Sequence, residues 1–148
     1  AYAAGRGQIV WTRIVADLDT PVSAWLKLGA GEPYSFLFES VQGGEIRGRY
    51  SIIGVRPDLA WRVRGQIAEI SRNPLSEKPD WVAQSAHPLD SLRALTDSIA
   101  LDIPPELPPM TAGLFGYLGY DMVRLMERLP APKPDPIGLD DATLIRPT

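Results

Sequence analysis

Leu59-Ala60-Trp61-Arg62-Val63-Arg64-Gly65-Gln66-Ile67-Ala68-Glu69-Ile70-Ser71 alternates apolar and polar residues on either side of Gly65-Gln66. Successive side chains of a strand point to opposite faces, so alternation at a period of two marks half-buried strands. Two such runs separated by a short glycine-containing loop predict a β-hairpin. Antiparallel strands can be joined this tightly, whereas parallel strands need a long crossover.

The neighbouring segments extend that reading. Upstream, Tyr34 to Phe38 and Ser51 to Val55 are predicted strands, with Arg56-Pro57-Asp58 as the turn into the hairpin. Thr20-Pro21 opens a helix, threonine as N-cap and proline at the first helical position. Val22, Trp25, Leu26 and Leu28 are expected to face the core, and Gly29 or Gly31 to end the helix. Gln8 to Val15, rich in β-branched and aromatic residues, is a further predicted strand. Downstream, Asn73 to Ala86 is a polar surface loop. Pro88 to Leu101 is a helix with Leu89, Leu92, Leu95 and Ile99 on one stripe. Thr111 to Leu118 is expected as a buried strand whose glycines admit another backbone or a ligand. Asp121 to Leu129 is a short helix, with Asp121 near its N-cap and Val123 and Met126 inward. Ala131 to Pro136 is polyproline-like, and Ala142 to Arg146 begins another strand. The expected fold is α+β, with mainly antiparallel sheets and a few packed helices. Residues 1–148 are taken as one region, and the strand near the C-terminus suggests a fragment of something longer.

Composition narrows the function classes. The net charge is −3 and the pI about 5.1, so no broad cationic field for nucleic acid or an anionic membrane is expected. Cysteine is absent and His87 is the sole histidine, which leaves few means of building a hydrolase triad or a zinc site. No apolar run approaches the ~20 residues that span a bilayer, and the N-terminus lacks a signal-peptide layout. The chain reads as cytoplasmic. Trp11, Trp25, Trp61 and Trp81 are most simply core or partial-core residues.

The segment richest in candidate chemistry is Phe36-Leu37-Phe38-Glu39-Ser40-Val41-Gln42-Gly43-Gly44-Glu45-Ile46-Arg47-Gly48-Arg49-Tyr50-Ser51. An apolar strand stops at a carboxylate and a hydroxyl, bends through glycines, and returns through a basic segment. Its glycines lack the Gly-Lys-Ser/Thr ending of a phosphate loop and lead into a strand, not a helix. Glu39 is either the first solvated residue of the strand or a carboxylate placed for an ammonium group. Arg49 is either solvated or a forked partner for a carboxylate or phosphate. Tyr50 suits packing more than chemistry. Asp140-Asp141 are adjacent turn residues and do not suggest a paired-carboxylate site. From pattern alone, a plain hairpin and a site for a small zwitterion both remain open.

Three motifs in order now support a resemblance. They are Phe36-Leu37-Phe38-Glu39-Ser40 with Gly43-Gly44-Glu45 and Gly48-Arg49-Tyr50-Ser51-Ile52-Ile53-Gly54; Gly113 to Asp121 with Glu127-Arg128-Leu129-Pro130; and Pro136 to Ala142. Together they resemble the N-terminal region of the anthranilate synthase component I family, among the chorismate-utilising synthases. Phe38 stands where that family usually has leucine. The resemblance implies that this region packs onto a larger catalytic region absent from the chain, which holds the catalytic residues and magnesium ligands. No cofactor is implied for the present residues. The family's reaction converts chorismate to anthranilate and pyruvate, with ammonia from a glutamine amidotransferase partner. The resemblance further implies that Ser40 and Glu39, then Arg49, Tyr50 and Ser51, form part of a tryptophan feedback site. Aminodeoxychorismate synthase component I and a stand-alone amino-acid-binding module are the alternatives.

Overall fold

The computed structural model describes residues 7–39, 50–131 and 134–148. The architecture is α+β with antiparallel sheets, as expected. The residues group into two units, one on Asp58–Arg146 with residues 7–9, the other on Val10–Pro57 with Pro147–Thr148.

The first unit is built on a five-stranded antiparallel sheet. Its strands are β3 (Leu59–Arg64), β4 (Ile67–Ser71), β5 (Val82–Ala83), β6 (Phe115–Leu118) and β7 (Ala142–Arg146), in the order β5-β4-β3-β7-β6. The β3–β4 hairpin has the expected bounds, with Arg64 opposite Ile67. Gly65 takes φ 60° in the first loop position, as a II′ turn requires. Leu59, Trp61 and Val63 are fully buried on one face, where Ala68 and Ala142 join them. Helix α2 (Pro88–Ser98) covers that face with Leu95, while Leu89, Leu92 and Ile99 pack at its margin. Trp61 Nε1 donates to Ser91 Oγ at 3.2 Å, which satisfies the indole where water cannot reach it. Truncating a core tryptophan costs about 3–5 kcal/mol, so this ring is a major part of the unit's stability.

The opposite face of the sheet is partly polar. Arg62 Nε donates to Glu69 Oε2 at 2.8 Å, and its guanidinium lies 3.8 Å from the Trp81 ring centroid. At the hairpin tip, Arg64 donates to Asp140, the Gly65 amide donates to Asp141, and Asp141 N donates to Val63 O. Asp140-Asp141 thus fasten the β3–β4 turn to the start of β7 rather than converge on a site.

Three expectations differ from the structure. Asn73 to Ala86, expected as a surface loop, contributes strand β5 at Val82–Ala83, because its backbone pairs with the free edge of β4. The strand expected over 111–118 is confined to 115–118 and is not buried: Tyr117 and Leu118 are about half exposed. Among the described residues it pairs only with β7, at the edge of the sheet. The helix expected over 121–129 is a 3₁₀ helix, Tyr120–Leu125, with Gly119 at its N-cap. Three residues per turn rotate the inward position to Met122, which is buried, while Met126 is 65% exposed. Asp121 instead accepts from Arg124 Nε at 2.6 Å.

The second unit contains helix α1 (Pro21–Leu28) and a two-stranded antiparallel sheet of β1 (Phe36–Glu39) and β2 (Ser51–Gly54). Thr20 and Ser23 form a reciprocal capping box at the helix start, and Gly29 caps its end. Of the four side chains expected to face a core, only Trp25 is partly buried; Val22, Leu26 and Leu28 are exposed. Gln8 to Val15 forms no strand, and Val10, Ile14 and Val15 are exposed. Strand propensity reports how well side chains fit a pleated, half-buried surface, and no strand among the described residues pairs with this segment.

Candidate functional site

The β1–β2 pair carries the candidate site. Aromatic and β-branched residues suit both strands, and the register sets Phe36 opposite Gly54, Leu37 opposite Ile53, Phe38 opposite Ile52 and Glu39 opposite Ser51. Partners across an antiparallel pair project to the same face, and neighbours along a strand to opposite faces. Glu39 and Ser51 therefore share a face with Leu37 and Ile53. Phe36, Phe38 and Ile52 lie on the other, where the two phenyl rings sit 4.5 Å apart between centroids.

Glu39 and Ser51 are both exposed, and Ser51 Oγ donates to Glu39 Oε1 at 3.5 Å, the outer limit of a hydrogen bond. So long a bond leaves both groups available to a stronger partner. An ionised carboxylate only accepts, and a hydroxyl both donates and accepts, so the pair suits an ammonium group beside an apolar surface. Tyr50 immediately precedes β2 and is 45% exposed. Ser40 and Arg49 lie outside the described residues. Of the five residues expected at the site, the structure thus describes Glu39, Tyr50 and Ser51, and sets Glu39 against Ser51.

The opposite end of the strands is fastened to α1. Ser35 Oγ donates to Gly29 O at 2.6 Å, and the Gly29 amide donates to Trp25 O at 2.8 Å. Leu37 and Ile53, not among the residues expected at the site, share the face of Glu39 and Ser51. Strand alternation was the signal available, because Leu37 is two residues from Glu39 and Ile53 two from Ser51.

Other polar clusters have local structural roles. Asp19 is held below its ordinary pKa, first by the hydrogen bond from Lys27 and then by that from Ser23. Asp80 is lowered chiefly by Ser71, and Asp135 by the amides of Ile137 and Gly138. His87 is exposed at the N-cap position of α2 and makes no side-chain cap. Among the described residues, no group of three or more His, Cys, Asp or Glu side chains is placed to hold a metal ion. No helix among them is long and apolar enough to cross a membrane.

No family model matches the chain. Individual relatives do. The chain is 52% identical over 147 residues to anthranilate synthase component 1 of Cereibacter sphaeroides, covering 99% of this chain and 29% of the relative. It is 43% identical over 129 residues to the protein of that name from Synechocystis, covering 86% of the chain and 24% of the relative. For the Thermus thermophilus protein of that name, identity is 38% over 135 residues, covering 90% and 27%. The chain therefore spans less than a third of the length of these curated relatives.

Proposed function

The chain belongs to the anthranilate synthase component 1 family, matching the N-terminal region of its members, and we propose that it serves as the effector-binding part of such an enzyme. In this reading the longer protein converts chorismate, with ammonia supplied from glutamine by an amidotransferase subunit, to anthranilate and pyruvate. The chemistry and its magnesium belong to residues outside this chain. The protein works in the cytoplasm, in tryptophan biosynthesis. The observation that carries the reading is 52% identity sustained over 99% of the chain.

The effector is tryptophan. Its ammonium group meets Glu39 and the hydroxyls of Ser40 and Ser51, and its carboxylate meets Arg49. Leu37 and Ile53 offer an apolar wall beside the carboxylate, with Tyr50 at the margin. Supporting this are the exposed Glu39–Ser51 pair and its register beside Leu37 and Ile53. An effector shifts an equilibrium only by binding one state better than another. A pocket completed by a second region of the protein gives tryptophan that preference.

The test of the reaction is an assay of the longer protein with chorismate and ammonia. Anthranilate and pyruvate should form in equal amounts. An aminated chorismate formed without release of pyruvate would replace this reading with aminodeoxychorismate synthase, and no reaction with chorismate would overturn both.

A further inference from the structure

We propose that Phe36 and Gly54 together lock the register of the β1–β2 pair, and so act as positioning residues for Glu39 and Ser51. The link to binding rests on reading that pair as part of an effector site.

The two residues are opposite one another, and Gly54 is buried. A Cβ built on Gly54 would lie 3.0 Å from Phe36 Cδ1 and closer still to Cε1 and Cζ. The phenyl ring thus occupies the space that any other residue's side chain would fill. Gly54 is not among the residues with positive φ, so the requirement is for space and not for an unusual backbone. A ring laid across a strand glycine covers backbone that the missing side chain leaves bare.

Among the described residues, the other determinants of register are weak. The sheet has two strands of four residues each, a size that is marginal without help. Phe36-Leu37-Phe38 and Ile52-Ile53 are apolar on both faces, so alternation does not favour one register over its neighbour. A slip by one residue would set Glu39 against Tyr50 or Ile52, and the Ser51 hydroxyl would turn to the other face. The Phe36–Gly54 contact lies at the end that Ser35 and Gly29 fasten to α1. Two residue pairs separate it from Glu39–Ser51, close enough for a rigid ladder to transmit the register.

The chain lacks cysteine, so introduced pairs report register without interference. In the 148-residue chain, Glu39→Cys with Ser51→Cys should form a disulfide under mild oxidant faster than Glu39→Cys with Ile52→Cys, which reports the slipped register. Phe36→Leu and Gly54→Ala should each lower the ratio of in-register to slipped cross-linking about three- to fivefold, the upper part of the range for loss of one cross-strand pair. If Gly54→Ala fails to fold, Phe36→Leu alone decides. An unchanged ratio in Phe36→Leu would overturn the lock. In the longer protein, Phe36→Leu should raise the tryptophan concentration giving half-inhibition by a similar factor. A lower cross-linking ratio with unaltered tryptophan response would leave the lock standing and overturn its role in the effector site.

Discussion

Asp80 accepts hydrogen bonds from Ser71 Oγ at 2.6 Å and from the Asn73 amide at 3.1 Å, and these hold its carboxyl below the ordinary value of 3.8. A carboxylate depressed in the folded state contributes stability that is complete above its unfolded pKa and is lost as pH falls through the folded one. Asp80→Asn should therefore lower the urea midpoint at about pH 7, and the gap from the parent should narrow below about pH 4. A gap that stays constant down to about pH 2 would show that the charge is not what matters. Neither the Ser71 bond nor its effect could be read beforehand, because Asp80 sits in a segment recognisable only as a polar loop. Glu39 was legible to a different degree. Its place at the end of an apolar strand marked it as a candidate, but its pairing with Ser51 needed the register.

Strand β6 shows what residue types reveal about an element and what they leave out. Its glycines signalled close backbone approach, and Gly116 bears this out. A Cβ there would lie 3.0 Å from Leu144 Cα and overlap the Thr143 carbonyl oxygen, and φ is 153°. Gly116→Ala should cost about 2–4 kcal/mol, combining backbone strain with damage to the β6–β7 ladder. Thermal unfolding of the chain would measure this, and a change under about 0.5 kcal/mol, the level of an ordinary surface substitution, would refute the packing argument. That β6 is an edge strand was not legible, since edge or centre depends on sheet order, which links β3 to β7 across most of the unit. The β3–β4 hairpin and the Leu89-Leu92-Leu95-Ile99 stripe were legible because local periodicity and the buried face agree. Gln8 to Val15 differs for the converse reason: propensity is present, and among the described residues a pairing partner is not.

At the scale of the molecule, the chain spans less than a third of its relatives' length, and the proposed effector site draws on a second region of the longer protein. The isolated chain should bind tryptophan weakly, with calorimetry giving a dissociation constant well above the ~1 μM that corresponds to about −8 kcal/mol. Binding at low micromolar strength would mean that the site is complete within this chain. The central claim, that Glu39 and Ser40 sense the end product and take no part in the chemistry, is tested most directly by Ser40→Ala in the longer enzyme. The measurement is the tryptophan concentration that half-inhibits anthranilate formation. Loss of a hydrogen bond to a charged group costs about 1.5–3 kcal/mol, so that concentration should rise at least about tenfold, while turnover without tryptophan stays near that of the parent. Unchanged inhibition, or a comparable fall in turnover without tryptophan, would contradict the account.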